Sequence, residues 1–201
     1  MADNARGRSG VGGRRRRGAA LDDAILRAAL DELRAVGYQN VTMEAVAARA
    51  RTSKPVLYRR WPNRAELVVA ALRHDRPLLS GPVPDTGSLR GDVLALLRRV
   101  SQGLGDIGRE TLFGLAAEYF QGGGDFFEDG LTAGRAAMHA IVQRAQVRGE
   151  LPPGPVSERV LSVPVDLARH EMMFVARGPM SAASLEAIVD EVFLPLLRPR
   201  S

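Results

Sequence analysis

The sequence predicts an all-α protein of two parts, and three observations carry that prediction. Apolar residues recur at helical spacing from residue 21 almost to the C-terminus, without the two-residue alternation of a strand. Glycine and proline clusters divide the chain into segments of helix length. The charge is uneven: residues 1–76 carry 16 Lys and Arg against 8 Asp and Glu, whereas residues 77–201 carry 12 against 15. A basic first part favours contact with a polyanion at one end of the chain only.

Composition narrows the class of protein further. The 201 residues are 45% hydrophobic, which is enough for a buried core, and they include no cysteine. Disulfide and thiolate chemistry are therefore excluded, and a reducing compartment is expected. No apolar run approaches the roughly 18 residues of a membrane span, and no apolar segment follows the charged N-terminus as in a signal peptide. We expect a cytoplasmic protein that makes no membrane contact.

Residues 1–19 contain mostly Gly, Arg and Ser with almost nothing to bury, so we expect a disordered basic arm. The four consecutive arginines at 14–17 could enter a minor groove beside a main DNA contact. They could equally form a solvated tail, and the sequence leaves both interpretations open.

Residues 20–74 predict four helices, of which the second and third are short. The first extends from about residue 21 to Gly37, a helix-ending residue. Thr42 is expected to cap the second, 43–50. After a break at residues 51–52, the third is expected over 53–61, with Pro55 in its first turn.

The fourth helix is expected to begin after Asn63 and to end near residue 74. Pro62 stops the third helix, and Glu66 lies three residues after Asn63, as in a capping box.

Two short helices joined by a brief turn make a helix-turn-helix. On the third helix, Leu57 and Trp61 lie four residues apart and can pack inward, while Lys54 and Tyr58 lie on another face. Lys54 can reach guanine O6 and N7, or a phosphate. Hydroxyl and arginine side chains nearby suit phosphate oxygens, which fix orientation. The predicted DNA-binding residues are Thr42, Arg51, Thr52, Ser53, Lys54, Pro55, Tyr58, Arg59, Arg60 and Arg64.

The stretch VTMEAVAARARTSKPVLYRRWPNRAELVVAAL, residues 41–72, resembles the DNA-binding region of the TetR (tetracycline-repressor-like) transcriptional regulators. The family pattern is matched by Thr42, Val46, Ala47, Ser53, Leu57, Tyr58, Trp61 and Arg64. One departure stands out: Arg51 occupies a turn position where the family usually has glycine, which tolerates a positive φ. With arginine at this position the sequence does not fix the geometry of the turn. Alternatively, Arg51 provides a further phosphate contact.

The remainder of the chain predicts a helical bundle. Residues 75–87 are rich in Pro and Gly and are expected to form a linker to a second domain, 88–201. Pro164 is expected to kink a helix, and Pro195 lies near a helix end. The five expected helices span about residues 88–104, 108–121, 125–148, 156–177 and 181–197.

The resemblance implies that this second domain binds a small effector and forms a homodimer through its last two helices. Two-fold related reading helices would then contact a near-palindrome on double-stranded DNA. An apolar stripe on the last helix suits a partner-facing surface but could also cover the subunit's own core. The stripe consists of Leu185, Ile188, Val189, Val192, Phe193 and Leu196.

The predicted effector pocket rests on aromatic, methionine and histidine side chains. Each could equally be part of an ordinary core. The candidates are Phe113, Tyr119, Phe120, Met138, His139, His170 and Met173. An apolar or amphipathic effector is expected, and no cofactor.

These features predict a ligand-responsive repressor that binds a near-palindromic operator as a homodimer. An activator of the same fold and a sequence-independent nucleic-acid binder driven by the basic arm stay open as alternatives. Catalysis is not expected, because residues 170–174, HEMMF, lack the second histidine of the zinc motif His-Glu-x-x-His. Neither a catalytic residue nor a metal site is predicted.

Overall fold

The computed structural model describes the backbone of residues 10–75, 81–121, 128–176 and 178–198. Within these ranges it describes side chains from residue 18 onward, except those of 119–121 and 128–131. The chain divides into two compact units, Met1–Asp75 and Arg76–Ser201. Every described element is helical, as predicted, and none of the described helices is long and apolar enough to cross a membrane.

The first unit contains four α-helices and a short 3₁₀ turn before the second helix. The helices are α1 (Gly10–Val36), α2 (Met43–Arg49), α3 (Lys54–Tyr58) and α4 (Arg64–Asp75). As predicted, the α4 N-terminus is capped by Asn63, whose Oδ1 accepts a 2.8 Å hydrogen bond from the Glu66 N–H.

Helix α1 is the support on which the two short helices rest. It packs against α2 and α4, and α2 packs against α3. Glu32 is buried on α1 and accepts two hydrogen bonds from the Arg49 guanidinium of α2, at 3.0 and 2.8 Å. The core includes Ile25, Leu57 and Tyr38, and burial of Tyr38 was not foreseen from the sequence.

The expectation of an irregular arm over residues 1–19 differs from the structure, in which α1 begins at Gly10. The boundary between the predicted arm and the predicted first helix was placed where the apolar residues begin. A helix that is already nucleated can extend beyond that point without burying further side chains. Each added residue forms one further hydrogen bond, and arginine and alanine are good helix formers. The backbone of residues 14–17 is therefore helical, and residues 1–9 lie outside the described part of the chain.

The second unit is a helical bundle built around α5. The bounds of its helices are α5 (Leu89–Ile107), α6 (Arg109–Gln121), α7 (Glu128–Val147), α8 (Glu158–Phe174), α9 (Ala182–Ala187) and α10 (Leu194–Leu196). A π-helical turn, Ile188–Phe193, joins α9 to α10. These positions match the five predicted helices, and α5 contacts α6, α7, α8 and α9. Pro164 lies inside α8, where a kink stays a prediction.

Residues 81–87, the second half of the predicted linker, are fastened to the second unit. Asp92 is fully buried and accepts hydrogen bonds from the Thr86 N–H at 2.5 Å and the Thr86 hydroxyl at 2.9 Å. Arg148 at the end of α7 donates to Asp92 at 3.2 Å, and Arg144 donates to the Pro84 carbonyl. A buried carboxylate needs such partners, so this segment belongs to the bundle. Residues 76–80 lie outside the described part.

The π-helical turn corrects the predicted apolar stripe. Up to Val189 the stripe faces the subunit's own core. A π turn holds one residue more than an α turn, which rotates the following side chains by about 100°. Phe193 is therefore completely buried, whereas Val192 and Leu196 are 36% and 47% exposed. Four of the six stripe residues cover this subunit's core, and two remain at the surface.

Candidate nucleic-acid interface

The turn between α2 and α3 has the geometry for which glycine is usually chosen. Arg51 has φ 52°, and it is the one non-glycine residue with positive φ within the described ranges. The Arg51 N–H donates to the Ala48 carbonyl at 3.1 Å, and the Thr52 N–H donates to the Ala47 carbonyl at 3.0 Å. This pair of hydrogen bonds is a Schellman motif, which ends a helix through a left-handed residue. The helix-turn-helix therefore forms with arginine at this position, and Arg51 is exposed.

Both short helices begin at hydroxyl residues. Thr42 caps α2 as predicted, because its Oγ1 accepts a 3.1 Å hydrogen bond from the Ala45 N–H. Ser53 occupies the corresponding position before α3 but makes no capping hydrogen bond through its side chain. Both residues are exposed.

Helix α3 has one buried side chain and an exposed outer face. Leu57 is completely buried, which holds the helix against the rest of the unit. Lys54, Pro55 and Tyr58 are exposed, with Tyr58 49% accessible. The helix ends at Tyr58 rather than at Trp61, and Trp61 is half-buried beyond its end.

Lys54, the only lysine of the chain, forms an ion pair across the two short helices. Its Nζ lies 2.5 Å from Oε1 of Glu44, in the first turn of α2. The hydrogen bond to Glu44 raises the pKa of Lys54, and the same bond lowers the pKa of Glu44. Both groups are therefore charged over the whole neutral range. Both side chains are also well exposed, at 49% and 60%.

Of the four arginines predicted to contact DNA, Arg51 and Arg59 are exposed, and the other two make contacts within the first unit. Arg60 forms an ion pair with Asp22 of α1 and donates to the Val56 carbonyl at 3.3 Å. It therefore also fastens the end of α3 to α1.

Arg64 at the start of α4 is held by the segment that precedes α2. Its guanidinium carbon lies 4.9 Å from the ring centroid of Tyr38, and Nη1 donates to the Gln39 and Val41 carbonyls at 3.1 and 3.3 Å. This contact gives a reason for the burial of Tyr38, a residue that the sequence interpretation passed over.

The predicted effector residues are only partly brought together. Phe113 of α6 packs edge-on against Phe174 of α8, with 5.7 Å between ring centroids, and the His170 ring lies 5.1 Å from Phe174. The Arg109 guanidinium carbon lies 5.4 Å from the Phe113 ring centroid. We call these four residues the aromatic cluster, and it is partly open to solvent because Phe174 is 57% exposed.

The other predicted effector residues lie elsewhere. Met138 is completely buried in the core, and His139 is exposed and bonded to Glu158 at 2.8 Å. Met173 is half-buried, and the side chains of Tyr119 and Phe120 lie outside the described part. A cavity of about 340 Å³ between α7 and α8 is lined largely by charged groups, and none of the seven candidates is among the described residues that line it.

A helix-turn-helix with an exposed second helix over a buried leucine, joined to a second all-helical unit, defines a DNA-binding transcriptional regulator. Family models match both units: "Bacterial regulatory proteins, tetR family" over residues 25–71, and "Tetracyclin repressor-like, C-terminal domain" over residues 83–192. The chain belongs to the TetR family.

Similar proteins extend over nearly the whole chain. The DNA-binding transcriptional repressor TetR of Mycobacteroides abscessus is 36% identical over 187 residues, covering 91% of this chain and 97% of that protein. A helix-turn-helix transcriptional regulator of Mycobacterium tuberculosis is 32% identical over 179 residues, covering 86% of each chain.

Solved structures show the same fold at lower identity. A TetR-family regulator of Mesorhizobium loti aligns at a TM-score of 0.58 with 22% identity, covering 90% of this chain and 96% of that one. The repressor FadR of Thermus thermophilus, in complex with lauroyl-CoA, aligns at 0.63 with 19% identity and the same coverage.

Proposed function

We propose that this chain is a ligand-responsive repressor that binds a near-palindromic operator as a homodimer. The observation that carries the proposal is α3, which exposes Lys54, Pro55 and Tyr58 while its Leu57 is completely buried. A short helix held in this way can enter a major groove, which is about 12 Å wide, and present side chains to base edges. Exposed hydroxyl and arginine side chains at Thr42, Arg51 and the adjacent positions suit the flanking phosphates.

The test is selection of random duplex DNA by the purified full chain at about 150 mM salt, followed by sequencing. We expect an enriched near-palindrome with half-sites about one helical turn apart. Deletion of residues 1–19 should weaken binding to that site without changing its sequence. The alternative, a sequence-independent binder driven by the basic arm, requires that no motif be enriched and that the deletion abolish binding.

A homodimer through the last two helices agrees with the residual exposure of Val192 and Leu196, large apolar side chains that the subunit's own core does not cover. The double substitution Val192→Glu and Leu196→Glu should convert a dimer into a monomer by analytical ultracentrifugation. Operator affinity should fall at least 10-fold, because each half-site would then be bound separately. Val147→Glu is the matched control, since Val147 is 89% exposed on α7 and should leave the dimer intact. An unchanged dimer in the double variant would place the interface elsewhere.

The effector is proposed to be apolar or amphipathic and to bind near the aromatic cluster. Two phenylalanines and a histidine offer an apolar surface, and Arg109 adds a positive charge beside it. The Thermus thermophilus relative is in complex with lauroyl-CoA, so acyl-CoA thioesters of increasing chain length are the first probes. Phe174→Ala should weaken binding of an active thioester at least 5-fold, whereas an equal loss with Val147→Ala would indicate non-specific partitioning.

The expected mechanism is a two-state equilibrium in which effector and operator prefer different arrangements. By linkage, a ligand that lowers operator affinity by some factor must itself be bound more weakly by that factor when DNA is present. A ligand that binds without changing operator affinity is not the effector. In a promoter assay, an activator of the same fold would raise transcription on binding its operator, whereas a repressor lowers it. The proposed role requires no catalysis and no cofactor, and places the protein with the DNA in the cytoplasm.

A further inference from the structure

We propose that Glu44 is a specificity-determining residue, and that the Lys54–Glu44 ion pair as a unit reads one G·C base pair in each half-site. The inference rests on the proposed operator-binding function and adds to it a residue of α2. It starts from an acidic side chain on an otherwise basic DNA-binding surface.

The position of Glu44 is the first argument. The ion pair joins the first turns of α2 and α3, the two helices of the helix-turn-helix. The Glu44 side chain is 60% exposed, and that of Lys54 is 49% exposed. Exposed ion pairs add little to stability, and the first-turn position and backbone hydrogen bond of Glu44 favour α2 only modestly, so fold stability accounts for only part of the carboxylate at this point.

The chemistry of a G·C pair supplies a reason. In the major groove, guanine presents the acceptors O6 and N7, and cytosine presents the N4 amino group as a donor. In the base pair, the cytosine N4 amino group donates a hydrogen bond to guanine O6. The two atoms therefore lie about 2.9 Å apart, an ordinary donor–acceptor distance for an N–H···O hydrogen bond. The lysine donor and the glutamate acceptor lie 2.5 Å apart, so the pair presents a donor and an acceptor at a similar separation.

The two side chains have enough hydrogen-bonding capacity to stay paired while they contact the bases. A lysine ammonium has three donors, and an ionised carboxylate has about four acceptor sites. Lys54 can therefore donate to Glu44 and to guanine at once, while Glu44 accepts from Lys54 and from the cytosine amino group. The pair enters the groove with no net charge, so its contribution is a base preference rather than phosphate attraction.

The competing explanation is that Glu44 only shields Lys54 and must be displaced by DNA. That explanation predicts tighter binding to every sequence when the carboxylate charge is removed. The reading explanation predicts a loss of discrimination at one base pair of each half-site. Glu44→Gln separates the two, because glutamine has nearly the same shape without the charge. Asp31→Asn is the matched control, since Asp31 is exposed on α1 and its substitution changes the net charge equally.

The experiment applies duplex selection to the wild type, Glu44→Gln, Glu44→Met and Asp31→Asn, all as full chains. Glutamine removes only the charge of Glu44, whereas methionine also removes the acceptor oxygens. Binding is then measured on the selected operator with one cytosine replaced by pyrimidin-2-one, which lacks the N4 amino group. We expect this replacement to weaken wild-type binding about 10-fold, the size of one base contact, and to weaken binding of Glu44→Met, which has no carboxylate or amide oxygen to accept the hydrogen bond, less than 2-fold. A parallel duplex with 7-deazaguanine in place of guanine removes N7 but keeps O6, so it should weaken binding only where Lys54 also donates to N7.

The result expected for Glu44→Gln is relaxed or altered preference at that base pair, with other positions of the motif unchanged. A uniform gain in affinity with the same motif would overturn the proposal in favour of shielding. Behaviour identical to Asp31→Asn would overturn it as well. A wild type that enriches no motif would overturn the operator-binding function itself, and the wild-type selection alone reveals that outcome.

Discussion

Replacement of Arg51 by glycine should stabilise the DNA-binding unit while weakening its hold on DNA. Arg51 has φ 52°, in the left-handed region, where a side chain with a Cβ is disfavoured. The residue is exposed, so its removal creates no cavity. Stability and DNA affinity should therefore change in opposite directions in one variant, which is unusual for a substitution in a binding surface.

The magnitude follows from two opposed terms. The left-handed conformation costs a non-glycine residue about 1–2 kcal/mol. Glycine avoids that cost, but its greater freedom in the unfolded chain opposes folding by about 0.5–1 kcal/mol. The net expectation for Arg51→Gly is a gain of about 0.5–1 kcal/mol, or about 2–8 °C for a unit of this size. Arg51→Ala keeps the conformational cost and should change stability by less than about 0.5 kcal/mol.

The assay can follow the DNA-binding unit by itself, because Trp61 is the only tryptophan in the chain. Its fluorescence during thermal or urea unfolding reports on residues 1–75 even when the second unit unfolds separately. Operator affinity of the glycine and alanine variants should fall by the same factor, since both remove the guanidinium. Equal melting temperatures for the two variants would refute the argument that Arg51 is conformationally strained.

Three further predictions concern individual charged side chains. Arg59→Ala should weaken binding to all sequences and lower the salt slope by about 0.9 per half-site, measured by titration at several salt concentrations. Arg60→Ala should instead lower the melting temperature of the first unit, followed by Trp61 fluorescence, because Arg60 holds α3 to α1 through Asp22. The two roles would be contradicted if Arg59→Ala lowered the melting temperature and Arg60→Ala changed only the salt slope. The pKa of Glu150 is lowered by the hydrogen bond from a backbone N–H of α5, followed by that from an arginine. The contribution of ionised Glu150 to the free energy of unfolding is complete above the ordinary glutamate pKa of 4.5, and it is lost as the pH falls through the lowered pKa of the folded state. Glu150→Gln should therefore lower the free energy of unfolding at pH 7, by less than about 1 kcal/mol because the residue is exposed to solvent, and the loss should shrink as the pH falls below 4.5, measured by urea unfolding and circular dichroism; a pH-independent difference would refute the electrostatic cause.

Local chemistry was enough to predict most helix boundaries and the helix-turn-helix. Thr42 and Asn63 act through hydrogen bonds to residues three positions away, and such pairs are visible in a single sequence. Leu57 was predicted to be buried from its place on one face of α3, and it is. The unusual turn residue was noticed because the family resemblance fixed where a glycine was expected.

Contacts between distant positions could not be predicted in the same way. The partners of Lys54 and Arg60 lie 10 and 38 positions away, and their identities depend on how the helices pack. Tyr38 follows a helix-ending glycine and looks like a loop residue, yet packing beneath Arg64 makes it part of the core. Exposed ion pairs leave no hydrophobic pattern in the sequence, which is why Glu44 was passed over.

The apolar stripe is divided between the core and the surface, because its period changes partway along the helix. Helical periodicity assumes 3.6 residues per turn throughout, and by that rule Val192 and Leu196 share a face with Leu185. The turn Ile188–Phe193 breaks the assumption, and Pro195 just beyond it, which has no N–H to donate to the carbonyl four residues earlier, was interpreted only as a sign of the helix end. The residues available to a partner subunit are thus fewer than the sequence pattern indicated.

The same turn makes the length of the last helix adjustable by one residue. Deletion of Glu191, which is exposed, would let the π turn relax into an ordinary α turn. Phe193 and Leu197 would keep their direction toward the core, because the deletion removes the one residue that the wider turn accommodates. Elsewhere in the helix a deletion would rotate everything that follows by about 100°. A one-residue deletion at this turn should therefore leave the packing of the bundle core the same.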